Sequence, residues 1–135
     1  MEKGYKILRK AFDAKILDMF ARDFETVALQ CKPEDVFRTK NGDVKQIQNC
    51  QKWVLFKELS NMINDMGYDG EVLNMQYFIK HPDYKITAPH QDGAYFDNLN
   101  DDILTFWIPL HDVNVETSTM FYADRDGKRE IIKHE

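Results

Sequence analysis

The chain has 135 residues, of which 43% are hydrophobic and 13% aromatic, a size and composition that suit one compact domain and hardly two. Its formal net charge is -5 and no segment is dense in Lys or Arg, which argues against nucleic acid as a partner. No apolar stretch approaches the roughly 18 residues that span a bilayer, and the first residues lack the apolar centre of a signal peptide, so we expect a cytoplasmic protein without a membrane segment.

An amphipathic helix is the first element that the sequence predicts. Apolar side chains recur at steps of three and four residues from Ile16 to Cys31, which is the spacing of one helix face. Asp13 is a suitable N-cap, and Pro33 marks the end of the helix. The Lys-Asn-Gly-Asp sequence at residues 40–43 then predicts a turn or loop.

A second helical pattern runs from Ile47 to Met66 and is stopped by Gly67, which suits a C-cap. Its apolar side chains are expected to face a sheet. Cys31 and Cys50 fall on the apolar stripes of the two predicted helices and lack Cys-x-x-Cys spacing. They are therefore expected to be buried free thiols rather than a disulfide or a zinc site.

From Val72 onward the apolar period changes to two, which is typical of strands. One face of this predicted strand carries apolar residues that would contact the helices, and the other face carries Gln76 and Lys80. These two polar residues either line a cavity or lie in solvent on an edge strand, and both interpretations stay open.

Residues 89–96 set an imidazole and a carboxylate two positions apart, at His90 and Asp92, beside a glycine. On an extended strand, residues i and i+2 point to the same side, so these two side chains can close on one metal ion. Imidazole and carboxylate are two of the three ligands in the facial triad of non-haem Fe(II) oxygenases. Alone, the His-x-Asp pattern is also consistent with an ordinary surface turn.

Residues 103–110 again alternate and predict a strand with an apolar face, while Thr105 and Trp107 lie on its other face. A Thr hydroxyl that faces inward can donate to a carboxylate, and an indole can close one side of a cavity. Trp107 is equally consistent with ordinary core packing.

Taken together, these segments resemble the phytanoyl-CoA dioxygenase family. The family pattern reads His-Gln-Asp-Gly-Ala-Tyr-Phe, then a strand like Leu-Thr-x-Trp-Ile-x-Leu, then Asp-Val and a further strand. Here the same order is found at residues 90–96, 104–110, 112–113 and 119–122. The resemblance extends from about Val72 to Tyr122 and is loose in the helical segment before it.

The resemblance implies an α+β protein whose N-terminal helices pack on a double-stranded β-helix, a jelly-roll barrel like that of the cupins. Residues 1–70 would be the helical part and residues 71–135 the first part of the barrel, within one domain. The implied activity is that of an Fe(II)- and 2-oxoglutarate-dependent dioxygenase that hydroxylates a small organic substrate with O2. His90 and Asp92 would bind the iron, and Gln76, Lys80, Thr105 and Trp107 would face the 2-oxoglutarate cosubstrate. Asp92 favours hydroxylation over halogenation, because related halogenases replace this carboxylate.

The chain also departs from the family pattern. The family's third iron ligand is a distal His, followed by an Arg that pairs with 2-oxoglutarate, and the second half of the barrel is expected to be missing from this chain. His134 falls in a loop position and His111 replaces a residue that is often a carboxylate, so neither is expected to be a ligand. Natural truncation, a fragment of a longer protein and a barrel completed by a partner chain all remain open.

Two other interpretations compete with the dioxygenase. One is a truncated barrel module without activity, which could form a homo-oligomer through its open sheet edges. The other is a cupin-like binding module or isomerase, which normally has more histidines near the first motif than this chain has.

Overall fold

The structure, a computed structural model, describes residues 4–50, 53–82, 84–96 and 103–123. The chain divides into two compact units, which we call the core unit, Phe12–Tyr84, and the motif unit, Met1–Ala11 with Lys85–Glu135. The α+β class is confirmed, because the described residues form two helices and one three-stranded antiparallel sheet. The jelly-roll barrel stays a prediction.

Helix α1 spans Ala14–Gln30, as the apolar spacing predicts. The Asp13 carboxylate accepts a hydrogen bond from the backbone N–H of Lys15 at 2.7 Å, which satisfies one of the free donors of the first turn. At the other end, the N–H of Cys31 donates to the carbonyl of Val27 before the chain turns toward Pro33. Both predicted ends of this helix are confirmed.

A β-hairpin follows helix α1. Strand β1, Val36–Arg38, pairs with strand β2, Val44–Ile47, and strand β3, Tyr77–Phe78, adds to the free side of β2 to give the order β1-β2-β3. The predicted turn at residues 40–43 connects β1 to β2, where Gly42 has a φ of 92° that an L side chain rarely adopts.

The hairpin corrects the predicted start of the second helix. Ile47 ends strand β2 and Cys50 lies in the following segment, whereas helix α2 spans only Val54–Asp65. The predicted stop at Gly67 is confirmed, because Gly67 follows the C-cap Met66, has a φ of 88° and donates its N–H to the carbonyl of Asn64.

The buried apolar side chains of the described residues all lie in the core unit. They are Phe20, Val27 and Ala28 from α1, Val44 and Ile47 from β2, Phe56 and Leu59 from α2, together with Cys50 and Tyr77. The rings of Phe20, Phe56 and Tyr77 contact one another with centroids 5.2 to 6.3 Å apart. The Tyr77 hydroxyl donates to the carbonyl of Phe20 at 3.1 Å, so one side chain ties helix α1 to the sheet.

The strand predicted from Val72 is wrong in extent, and the strand predicted at residues 103–110 is wrong. Only Tyr77 and Phe78 of the segment that begins at Val72 pair in the sheet, and the described residues 103–123 form no strand. The alternation of faces holds where the strand forms, since Tyr77 is buried and Phe78 is 57% exposed. Within the described residues, no helix has both the length and the apolar character needed to cross a membrane.

Candidate metal centre

The orientation of the His90 ring is set by a backbone carbonyl of the motif unit. Its Nδ1 atom lies 2.8 Å from the carbonyl oxygen of Ala88. A carbonyl can only accept, so Nδ1 carries the hydrogen and, in the neutral ring, Nε2 presents its lone pair. Histidines that bind metals have this arrangement, in which the second ring nitrogen donates to a carbonyl or carboxylate.

The Asp92 carboxylate faces that lone pair. Its Oδ1 atom lies 3.2 Å from His90 Nε2. The Asp92 side chain is 42% exposed and the His90 side chain is 36% exposed. Neither atom can donate when the imidazole is neutral and the carboxylate is ionised. The contact therefore needs a positive centre, which is either a proton on Nε2 or a metal ion held by both atoms.

The predicted strand geometry of this motif is wrong, although the predicted convergence of the two side chains is found. His90 lies in irregular backbone, and Asp92 begins a 3-10 turn, Asp92–Tyr95. The turn is closed by a hydrogen bond from the N–H of Ala94 to the carbonyl of Gln91 at 3.0 Å. The turn, rather than a pleated strand, brings the carboxylate back toward the ring.

The separation of the two donor atoms suits a metal ion. In octahedral coordination, neighbouring donors that each lie about 2.1 Å from the ion are about 3.0 Å apart. The observed 3.2 Å between Nε2 and Oδ1 is close to this value. An imidazole nitrogen with one carboxylate oxygen is also a donor pair that suits Fe(II), so the residues present fit two positions of such a site.

Thr105 belongs to the same cluster. Its hydroxyl donates to Oδ2 of Asp92 at 2.6 Å, a length typical of a charge-assisted hydrogen bond. The two carboxylate oxygens thus have different partners, Thr105 at Oδ2 and His90 at Oδ1. The structure brings together three of the residues that the sequence predicts for the site.

Two tyrosines at this site are not predicted from the sequence. The Tyr95 ring meets the His90 ring at 5.8 Å and an angle of 70°. Burial raises the pKa of the Tyr122 phenol, and the charge of Asp92 raises it further. Tyr122 also stacks on Tyr5, with centroids 5.3 Å apart, which ties the first residues of the chain to the rest of the motif unit.

The other predicted cosubstrate residues have different surroundings. Gln76 and Lys80 belong to the core unit, where Gln76 accepts a hydrogen bond from Gln46 at 2.9 Å and the Lys80 ammonium lies 5.6 Å from the ring centre of Tyr84. Trp107, in the motif unit, is 46% exposed. Their roles toward 2-oxoglutarate stay predictions.

The remaining histidines do not join the pair in the described part of the chain. His111 Nδ1 lies 2.8 Å from the carbonyl of Asp112, and His81 Nε2 lies 2.9 Å from the carbonyl of Val44 in the core unit. No group of three or more His, Cys, Asp or Glu side chains that could hold a metal ion is found among the described residues. His134 lies outside these residues.

Comparisons with known proteins identify no family for this chain. No protein-family model, no curated protein and no solved structure matches it.

Proposed function

We propose that this chain is an Fe(II)- and 2-oxoglutarate-dependent dioxygenase that hydroxylates a small organic substrate and releases succinate and CO2. The observation that carries the proposal is the contact of 3.2 Å between His90 Nε2 and Asp92 Oδ1. Because Nδ1 of the same ring is directed at the Ala88 carbonyl, the nitrogen that faces Asp92 presents its lone pair in the neutral ring and can then bind a metal ion. The resemblance of residues 90–122 to the phytanoyl-CoA dioxygenase family supports the choice of iron and of the cosubstrate.

Each residue of the cluster has a distinct role in this proposal. His90 supplies a neutral nitrogen ligand, and the Ala88 carbonyl holds its tautomer. Asp92 supplies one negative oxygen, Oδ1, while Thr105 holds Oδ2. The Tyr95 ring packs edge-on against the His90 ring, with centroids 5.8 Å apart.

The bound metal and cosubstrate carry the oxidative chemistry. When bound, Fe(II) with 2-oxoglutarate and O2 supplies an oxidant that places one oxygen atom on the substrate and the other in succinate. The part of the protein is to hold the ion through His90 and Asp92, with Thr105 hydrogen-bonded to Asp92, and to place the cosubstrate, for which Trp107 of the same unit is the proposed contact. A cytoplasmic location also stays a prediction.

The test is an anaerobic titration of the chain with Fe(II) and 2-oxoglutarate. The visible charge-transfer band of an iron–keto acid complex is expected in the unmodified protein and is expected to be lost in His90→Ala and Asp92→Ala. His111→Ala is the matched control, because this exposed imidazole is directed at the carbonyl of Asp112 and should leave the band unchanged.

Two outcomes would contradict the assignment. A band that persists in His90→Ala would show that the iron binds elsewhere, and no band in the unmodified protein would show that this chain does not form the complex. Succinate formation under O2 should follow the same pattern, so unchanged succinate in Asp92→Ala would exclude this carboxylate as a ligand.

A second candidate function is a non-enzymatic module that forms homo-oligomers. It is favoured by large apolar side chains that the motif unit exposes, with Ile86 94% and Val115 and Phe121 each 76% exposed. The outer sides of β1 and β3 are edges within the described sheet, and such edges can pair with a second chain. Sedimentation of the metal-free protein over a range of concentrations tests this candidate, and a monomer at all concentrations would exclude it.

A further inference from the structure

The two oxygens of the Asp92 carboxylate are not equivalent. Oδ2 accepts the Thr105 hydroxyl hydrogen at 2.6 Å, whereas Oδ1 lies 3.2 Å from His90 Nε2. A hydrogen bond from a hydroxyl to an ionised carboxylate is roughly twice as strong as one between neutral groups. Rotation of the carboxylate away from this arrangement would break the bond, so Thr105 holds the group with one oxygen toward the imidazole.

We propose that Thr105 is a positioning residue that makes Asp92 a ligand through Oδ1 alone, and this inference rests on the proposed iron site. A carboxylate that is free to rotate can bind a cation through one oxygen or both. With Oδ2 held by Thr105, only Oδ1 is directed toward the place that His90 also faces. A carboxylate that bound the ion through one oxygen instead of two would leave more of the ion's coordination positions for the cosubstrate.

This role differs from direct contact with the cosubstrate, which the sequence predicts for Thr105. The Thr105 hydroxyl has one hydrogen, and in the structure that hydrogen is directed at Asp92. A positioning role requires Thr105 for binding of the metal alone. A direct cosubstrate role requires it only when 2-oxoglutarate is present.

The experiment therefore measures the Kd of Fe(II), without 2-oxoglutarate and without O2, for a series of variants at position 105. Thr105→Val keeps the shape of the side chain and removes the hydroxyl, Thr105→Ala removes both, and Thr105→Ser keeps the hydroxyl. Loss of an outer partner of a metal ligand typically weakens metal binding by about 10- to 100-fold. We expect at least about a tenfold increase of Kd in the Val and Ala variants, and a Kd within about threefold of the unmodified value in the Ser variant.

The thermal midpoints of the metal-free variants are measured beside these affinities. If Thr105→Ser keeps the Fe(II) Kd while Thr105→Val raises it, and both variants have similar thermal midpoints, then the weaker binding comes from the missing hydroxyl and not from a general loss of structure. If Thr105→Val unfolds, the smaller Ala variant gives the same comparison.

The outcomes separate this inference from the proposed function. An unchanged Fe(II) Kd in the Val and Ala variants, with 2-oxoglutarate binding weakened, would overturn the positioning role and leave the iron site standing. An Fe(II) Kd that His90→Ala also leaves unchanged would overturn the iron site and the positioning role together.

Discussion

Cys50 places a sulfur atom inside the apolar centre of the core unit. The residue is 2% exposed, and its thiol donates to the carbonyl of Ile47 at 3.5 Å. Burial, with a smaller contribution from the neighbouring Cys31, raises the pKa of this thiol from 9.0 to about 12. Tyr77, in the same core, also has a raised pKa because of burial. Both groups therefore keep their protons in the folded state at a pH where the unfolded chain releases them.

The stability of the core unit is consequently expected to fall in alkali. A raised pKa in the folded state gives stability that is fully present below pH 9.0, the ordinary value of the thiol, and is lost toward pH 12. Cys50 contributes at most about 1.4 kcal/mol per pH unit to this slope. Urea unfolding at several pH values between 7.5 and 11 should give a shallower decline for Cys50→Ala than for the unmodified protein. Equal slopes in the two proteins would contradict the assignment to Cys50.

The residues of the candidate site were only partly predictable from the sequence. The spacing of His90 and Asp92 predicts their convergence, and the structure shows it, but through a 3-10 turn instead of a strand. The partner of His90 Nδ1 is the backbone carbonyl of Ala88. Every residue has such a carbonyl, so the sequence could not predict this contact. Tyr95 lies three residues after Asp92 and shares one side of the 3-10 turn with it, but this relation follows only once the turn is known.

The long helix α1 was predictable from the sequence, whereas the short strands were not. Helix α1 has apolar residues at helical spacing along its length, Asp13 as N-cap and Pro33 just after its end, and all three features predict the same helix. Strand β2 has only four residues, and its buried Val44 and Ile47 are three positions apart. This spacing fits one face of a helix as well as a short irregular strand, so the pattern predicts Ile47 and Cys50 in the second helix, which is wrong.

Gly67, which follows helix α2, allows a prediction about the free energy of unfolding, and Gly70 in the same loop is its control. The N–H groups of Gly67 and Tyr68 donate to the carbonyls of Asn64 and Ile63, which is the pattern of a Schellman motif. Gly67 has a φ of 88°, and this left-handed conformation costs an L residue roughly 1–2 kcal/mol. Gly67→Ala should therefore lower the free energy of unfolding by about that amount in urea titrations.

The control for Gly67 is Gly70→Ala. A Cβ added at Gly70 meets no atom within 4 Å, and its φ lies outside the left-handed range. The added methyl group restricts the unfolded chain, so this variant should be neutral or slightly more stable. A loss of stability at Gly70 equal to that at Gly67 would show that the backbone conformation is not the cause.

The amino-acid composition of the whole chain could not show where its apolar residues lie. The 43% hydrophobic content is that of an ordinary globular chain, and it predicts one domain. In the described residues, however, the buried apolar side chains all belong to the core unit. The amino-acid composition does not say which residues belong to which unit. The concentration of buried apolar side chains in the core unit is therefore known only from the structure.

The division into units also separates the two tryptophans of the chain. Trp53 lies in the core unit, and its indole nitrogen is shielded from water without a hydrogen-bond partner among the described residues. Trp107 lies in the motif unit and is 46% exposed. Indole fluorescence shifts to shorter wavelengths in apolar surroundings, and dissolved iodide quenches an exposed ring more strongly. Each unit therefore carries its own intrinsic fluorophore, and the loss of structure in each can be followed by light emission from the intact protein.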